Sequence, residues 1–226
     1  MVGVAPWATL EFCRCFYGLV PARKDWHFPR VLLDINTKLP SRGRHLQLGE
    51  QDPSSYIAET IAELAQAGAT VAVVACNTAH ILYDNWASDA PIPVLHIVRS
   101  SVDQAFRLGA RRLMALTSSA LAKRNLYGWE AGQSGLSSVL LPPDLQSIVN
   151  AWIDAIKTRG CLSQGEAAAV AQLIEHALET QVDTVLLGCT ELSLLRPHFE
   201  SAGLRIVDSN EALAMAAYAA IRSNVS

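Results

Sequence analysis

The sequence predicts an α/β protein of two similar three-layer domains, each with a parallel four-stranded sheet, the two related by a pseudo-twofold. Three observations carry this. Short aliphatic runs alternate with amphipathic helical patterns, as in βαβ units and parallel sheets. Half of the 226 residues are hydrophobic and only 17% are charged, which suits strands covered on both faces. Finally, a stretch recurs: Leu64–Thr78 reads LAQAGATVAVVACNT, and Ala177–Glu191 reads ALETQVDTVLLGCTE. The cysteines of this repeat, Cys76 and Cys189, stand 113 positions apart, half the chain length. A repeat of that size points to two domains, not to a solenoid. The expected domains are 1–98 with 209–226, and 99–208.

Taken in order, Val31–Leu33 reads as a short strand running into the polar segment Asp34-Ile35-Asn36-Thr37. Asp52-Pro53 supplies an N-cap and a proline at the first helical position. The helix that follows sets Ile57, Ile61, Leu64 and Ala65 on one face, and Gly68 ends it. Thr70–Ala75 is a β-branched and alanine run, a buried strand that ends at Cys76-Asn77-Thr78, where another helix begins. Val94–Val98 is the next strand. A helix from about Arg99 leads to the strand Arg112–Leu116, which ends in Thr117-Ser118-Ser119. Pro142-Pro143-Asp144 introduces a helix carrying Leu145, Ile148, Val149, Trp152, Ile153 and Ile156. Ser163 to Glu166 forms a capping box and opens a helix with Val170, Leu173, Ile174, Ala177 and Leu178 on its face. Thr184–Leu187 is a strand ending at Gly188-Cys189-Thr190-Glu191. Arg205–Val207 is a last short strand, and Asn210–Ile221 a closing alanine-rich helix.

Composition removes several classes of function. Lys and Arg number 18 against 21 Asp and Glu, a net charge of −3, so a strongly basic nucleic-acid binder is excluded. Mean hydropathy is high at +0.20. Even so, the longest unbroken apolar runs, Val71–Cys76 and Ala212–Ile221, fall far short of the roughly 18 residues that read as a membrane span. No membrane partner is expected. Met1 to Pro6 has neither a basic region nor a continuous apolar core, so no secretory signal is expected there. The five cysteines (Cys13, Cys15, Cys76, Cys161, Cys189) lack the spacing of a disulfide framework, and a reducing cytoplasm fits them best.

Cys76 and Cys189 carry the chemistry. A cysteine at the carboxyl end of a parallel strand, just before a helix, sits near main-chain N–H groups and the positive end of a helix dipole. That setting favours the thiolate. One such residue suggests a covalent nucleophile. A symmetric pair suggests an acid and a base on opposite faces of one substrate: one thiolate removes a proton from a chiral carbon and the opposing thiol delivers one, without a cofactor.

The segments Ala75-Cys76-Asn77-Thr78-Ala79-His80 and Leu187-Gly188-Cys189-Thr190-Glu191-Leu192 resemble the paired motifs of the aspartate/glutamate racemase family, nearest to its aspartate and broad-specificity amino-acid racemase branch. The resemblance extends over almost the whole chain. Gly3-Val4-Ala5-Pro6-Trp7-Ala8-Thr9 resembles the loop after the family's first strand, and Asp34 to Arg42 its Asn-Thr…Pro-x-Arg segment, which contains Asn36. Leu113–Ser118 resembles the strand and loop that open the second domain, and Ile156-Lys157 falls where aspartate racemases carry a substrate-side lysine.

The resemblance implies cofactor-independent 1,1-proton transfer at a small acidic amino acid, aspartate first and glutamate next, between Cys76 and Cys189 in a cleft between the domains. It implies that Asn77, Thr78 and Thr190 bind the α-carboxylate and orient the thiols, with Thr117 adding a hydroxyl. Arg42 and Lys157 would bracket the side-chain carboxylate, with Arg44 a near competitor for the first role. His80 either tunes Cys76, binds substrate or is simply a hydrogen-bonded helix residue. Glu191 either orients a neighbour or caps its helix. Relatives of this kind are usually homodimers.

Three features depart from the family pattern. Only Met1-Val2 stand where a full first strand is expected, so either that strand is missing from this sequence or the sheet is trimmed. The loop at Thr117 reads Thr-Ser-Ser-Ala in place of Thr-x-Gly-Thr. Cys13-Arg14-Cys15, even with His27 nearby, lacks metal-site spacing and is read as structural or incidental. The competing functions are cis–trans isomerisation or decarboxylation of a dicarboxylate on the same scaffold, and a binding-only protein without activity.

Overall fold

Among the described residues every strand pair is parallel, as continuous aliphatic runs buried on both faces require. The protein is seen here as a computed structural model that describes residues 1–223, Ser223 by its main chain alone. The chain divides into two units, Met1–Ser100 with Asn210–Ser226, and Ser101–Ser209. Residues 224–226 of the expected first domain lie outside the described residues.

In the first unit β1 (Val2–Gly3) leads to α1 (Pro6–Gly18), β2 (Asp34–Ile35), α2 (Arg42–Leu48), α3 (Ser54–Gln66), β3 (Ala72–Val73), α4 (Tyr83–Ala87) and β4 (Val94–Leu95), with α5 (Ile97–Arg107) beginning as the unit ends. β1 pairs with β2 and β3 with β4, and one parallel bridge between Val2 and Val74 joins the two pairs, giving the order β2-β1-β3-β4. The core gathers Val2, Val4, Leu39, Ile57, Ile61, Leu64, Val74 and Trp86.

These strands are shorter than their hydrophobic runs. The strand expected at Val31–Leu33 lies at Asp34–Ile35, because Met1 and Gly3 set the register. The Asp34 N–H donates to the Met1 carbonyl at 3.1 Å, and the Asn36 N–H to that of Gly3 at 3.0 Å. Of Thr70–Ala75 only Ala72 and Val73 pair in a ladder, although Ala72 through Ala75 are all buried. Val94–Val98 stops at Leu95, where α5 takes over two residues later. The first strand is short, as expected, yet Val2 is fully buried. α1 replaces what reads as a loop: Pro6 stands at its first turn, and Ala8, Phe12 and Phe16 form its buried stripe.

The second unit runs β5 (Arg112–Leu116), α6 (Ser119–Arg124), α7 (Leu126–Gln133), β6 (Ser137–Val139), α8 (Pro143–Arg159), α9 (Gln164–Ala168), α10 (Val170–Glu179), β7 (Thr184–Leu187), α11 (Arg196–Ser201) and β8 (Arg205–Asp208). The chain then enters α12 (Ser209–Ser223). Its sheet has the order β6-β5-β7-β8, with Leu113 opposite Thr184 and Leu187 opposite Asp208. All four residues of β7 are buried, as befits a central strand. Met114, Leu116, Trp152, Ile153, Leu173, Val185, Leu187 and Phe199 form the core.

The capping box is present: Ser163 Oγ accepts from the Glu166 N–H, and the Glu166 carboxylate accepts from the Ser163 N–H at 2.8 Å. The helix it opens is two helices, α9 and α10, parted at Ala169. The Glu166 carbonyl accepts from Trp152 Nε1 at 2.9 Å, and its carboxylate pairs with Arg159 at 2.6 Å, tying the end of α8 to the start of α9. Among the described residues no helix is long and apolar enough to cross a membrane.

Trp152 is 1% exposed and joins α8 both to the core and to this turn. Trp152→Ala is expected to destabilise the protein by about 3–5 kcal/mol. The readout is a lower urea midpoint at unchanged slope.

Candidate functional site

The two sheets share one topological feature. Numbered within its own unit, each places its strands second-first-third-fourth. The chain leaves the first strand on one side and returns on the other, so the switch point lies between the carboxyl ends of the first and third strands, where open α/β sheets bind ligands. In the first unit the residues there are Val4 to Pro6, after β1, and Cys76, after β3. In the second unit they are Thr117, after β5, and Gly188-Cys189, after β7.

In the first unit Cys76 is half-buried and its N–H donates to the Val74 carbonyl at 2.8 Å. The Cys76 carbonyl accepts from His80 Nδ1 at 2.9 Å, so that nitrogen carries the proton. The expected helix begins as a short 3-10 turn, Thr78–Leu82, which brings His80 back beneath Cys76. His80 is 2% exposed and sits among rings, with the centroid of Tyr83 at 5.6 Å, Trp86 at 5.2 Å and His96 at 4.8 Å. Burial pushes His80 down to about 4, against the opposing pull of the Cys76 and Leu95 main chain. Burial, then the neighbouring His80 and Arg99, push His96 to about 3. Both imidazoles are neutral at pH 7.

Asn77 is buried at the start of that turn without capping it through its side chain, and Thr78 is half-buried beside it. Arg42 opens α2 and reaches the carboxyl end of β1. Its NH2 donates to the Val4 carbonyl and its NH1 to that of Pro40, both at 3.3 Å, while the buried Nε has no partner. Asn36 stands at the end of β2, where its side chain accepts from the Lys38 N–H at 3.1 Å and closes its own turn. Arg44 is exposed and paired with Glu50, which leaves Arg42 as the arginine of this edge.

In the second unit Cys189 is 7% exposed and its thiol donates to Glu191 Oε2 at 2.9 Å. The Thr190 hydroxyl donates to the same oxygen at 3.3 Å, and Glu191 is itself 8% exposed. The Glu191 carboxylate thus lies against its two neighbours in the chain, and the 3-10 turn that follows has no side-chain cap. Thr117 is buried; its hydroxyl donates to the Ser118 carbonyl, and its own carbonyl accepts from Gln146 Nε2 at 2.8 Å. In the altered Thr-Ser-Ser-Ala loop Ser119 is held by Asn150, whose Oδ1 accepts from its N–H at 3.1 Å. Lys157 lies exposed in the last turn of α8, eleven residues or about 16 Å along the helix axis from Gln146.

Two residues of this edge were not foreseen. A Cβ at Gly188 would stand 2.7 Å from Thr117 Cγ2 and 2.7 Å from the Tyr127 ring, so only glycine fits. Tyr127 is buried and hydrogen-bonded to the Ser101 and Ser209 side chains. Burial raises its pKa, helped by the nearby Cys189 and Asp208, and the phenol stays protonated. Gly188 follows a strand directly and could have been flagged by position. Tyr127 has no sequence signal, because only the pairing of β5 with β7 brings α7 to Cys189. Of the remaining cysteines Cys13 and Cys15 lie on α1, and among the described residues no three His, Cys, Asp or Glu side chains gather to hold a metal.

Gly188→Ala is expected to cost about 1–3 kcal/mol through overpacking, read as a lower melting temperature. A second expectation concerns pH. The folded values of His80 and His96 lie below the ordinary 6.5, so the unfolded chain binds protons first as the solution is acidified. Their contribution to stability is full above about pH 6.5 and is lost on descent to about 4 and then 3. Urea titrations across that window should show a shallower loss for the double variant His80→Gln with His96→Gln.

The sequence pattern of the Asp/Glu/Hydantoin racemase family matches residues 1–217. The chain is 22% identical over 221 residues to the broad specificity amino-acid racemase RacX of Bacillus subtilis (strain 168), a match that covers 95% of this chain and 93% of that one. It is 27% identical over 207 residues to a glutamate racemase of Pseudomonas syringae pv. tomato, covering 81% and 71% of the two chains. Its fold is similar to that of Picrophilus torridus aspartate racemase, with a TM-score of 0.81 at 23% identity over 95% of this chain and 89% of that one. A family pattern that spans nearly the whole chain, on a fold with a cysteine at the same strand end of each unit, leaves one conclusion: the protein belongs to the Asp/Glu/Hydantoin racemase family and is a racemase.

Proposed function

We propose that the protein inverts the Cα of a small acidic amino acid, aspartate first and glutamate next, by proton transfer between Cys76 and Cys189 without a cofactor. The observation that supports this most is the equivalent position of the two cysteines, each directly beyond the third strand of its own sheet. In one direction the Cys76 thiolate takes the α-proton, the Cα–H bond breaks and an S–H bond forms. The Cys189 thiol then gives its proton to the other face of Cα and is left as the thiolate. The opposite enantiomer reacts from that second state with the roles exchanged.

The difficulty is the weak acidity of a C–H bond beside a carboxylate, so the site must stabilise the developing negative charge and exclude water. Asn77, Thr78 and Thr190 are assigned as donors for the α-carboxylate, with Thr117 adding a hydroxyl. Arg42 is suited to the side-chain carboxylate, because two main-chain carbonyls steady its guanidinium while the buried Nε still has a hydrogen to give. Lys157 is assigned the second positive charge of that subsite. Asn36 and His80 act indirectly, by shaping the loops that carry Arg42 and Cys76. This reading places a homodimer in the reducing cytoplasm, where thiols are kept reduced.

Proton NMR of each enantiomer of aspartate and glutamate in deuterated buffer tests the proposal, with no pyridoxal phosphate added. The protein is expected to exchange Cα–H for deuterium and to yield both enantiomers. Cys76→Ala and Cys189→Ala are each expected to lose inversion by about 100- to 10,000-fold. Normal inversion in either variant would overturn the two-thiol assignment, and geometric isomerisation or decarboxylation of a dicarboxylate instead would overturn the substrate.

A further inference from the structure

A cavity of about 170 Å³ lies wholly within the first unit. Phe12 and Phe16 of α1, Val73 of β3 and Ala217 of α12 are buried and line it, with half-buried Leu32 and Val71 completing the apolar wall. Leu32 stands just before β2 and Val71 just before β3, so the cavity lies at the amino ends of these strands. Cys76 follows β3 at the opposite edge, where open α/β sheets take their ligands. The cavity is therefore no part of the edge that carries the proposed chemistry. It adjoins a wider and more open groove of about 570 Å³, with which it shares Pro29 and Ile221. Phe28 and Tyr218 line the groove together with His27 and Arg222, and Arg30 lines the cavity. The Arg222 guanidinium lies over the Tyr218 ring, 5.7 Å from its centroid.

The charges around this space have one sign. No Asp or Glu is among the described residues that line the cavity or the groove, although the chain as a whole carries a net charge of −3. Among the described residues neither Arg30 nor Arg222 forms an ion pair. We propose that cavity and groove together bind an amphipathic monocarboxylic acid, with an apolar chain of about six to eight carbons in the cavity and the carboxylate at Arg30 and Arg222. An apolar cavity of about 150 Å³ stays dry and takes a guest the size of benzene, so the space matches the tail. The arginines match the head, since a guanidinium donates paired hydrogen bonds to a carboxylate. Aspartate and glutamate do not fit, because a charged group would lie among Phe12, Phe16 and Val73 without a partner. The site goes beyond the racemase reading and does not rest on it.

Isothermal titration calorimetry of the full chain with straight-chain monocarboxylates tests this without reference to turnover. Affinity is expected to rise about fourfold per added CH₂ from butanoate to octanoate, the gain from burying one methylene. It should level off in longer chains that outgrow the cavity. Octan-1-ol has the same chain without the charge and is expected to bind about fivefold more weakly than octanoate. Octanoate should lose about the same factor in the double variant Arg30→Gln with Arg222→Gln. Ala217→Leu fills the cavity and should abolish saturable binding; Val71→Phe, at the half-buried wall, is the second filling variant. Octanoate should also raise the melting temperature of the unaltered protein and leave that of a filled variant unmoved. If neither filled variant folds, octan-1-ol and the arginine variant decide. Absence of saturable octanoate binding, or equal binding by octan-1-ol, by the arginine variant or by a folded filled variant, overturns the site. Displacement of octanoate by excess aspartate or glutamate also overturns it, because octanoate then occupies the edge that holds the cysteines.

Discussion

The missing side chain at Gly188 is the constraint on which the polar centre of the second unit depends. Because only hydrogen stands there, Thr117 and the Tyr127 ring close over the end of β7, and Cys189 is the next residue. A methyl group would push both away and open the centre to water. The first unit meets the same demand at Gly3, where a Cβ would lie 2.6 Å from the side chain of the buried Thr9. In both sheets a glycine lets another segment come within contact distance of a strand end, at the edge where the topology brings functional loops together.

Around that shared frame the two halves use different polar chemistry. In the first unit the cysteine loop is braced by a histidine made neutral through burial, which donates one hydrogen bond and contributes no charge. In the second, a buried carboxylate accepts from a thiol and a hydroxyl at one of its oxygens. A repeated fold thus surrounds its two strand-end cysteines with unlike polar groups.

Legibility in the sequence followed how local each signal was. Arg112–Leu116 and Thr184–Leu187 form strands over the expected residues, and Ser163 caps its helix with Glu166 as expected, because each is written in adjacent residues. The first unit was harder. Its strands are two residues long, and the position of β2 is set by pairing with Met1 and Gly3, some 30 residues away, so the hydrophobic run at Val31–Leu33 misleads by three residues. α1 did leave a local trace, in Pro6 followed by Ala8, Phe12 and Phe16. The proline there marks the first turn of a helix, although it reads equally well as part of a loop.

The sequence by itself determined the α/β class, the duplication, and the place of Cys76 and Cys189 at the ends of matching strands, since a repeat and a run of buried residues are properties of adjacent positions. Tertiary structure alone decided which groups meet those cysteines. Tyr127 comes beside Cys189 only because β5 pairs with β7, and the guanidinium of Arg42 settles on Val4 only because β1 ends beneath it. Glu191 stands two positions from Cys189, yet its contact with the thiol too depended on the fold. The turn directs its carboxylate onto the thiol, and burial removes the water that would otherwise have satisfied both.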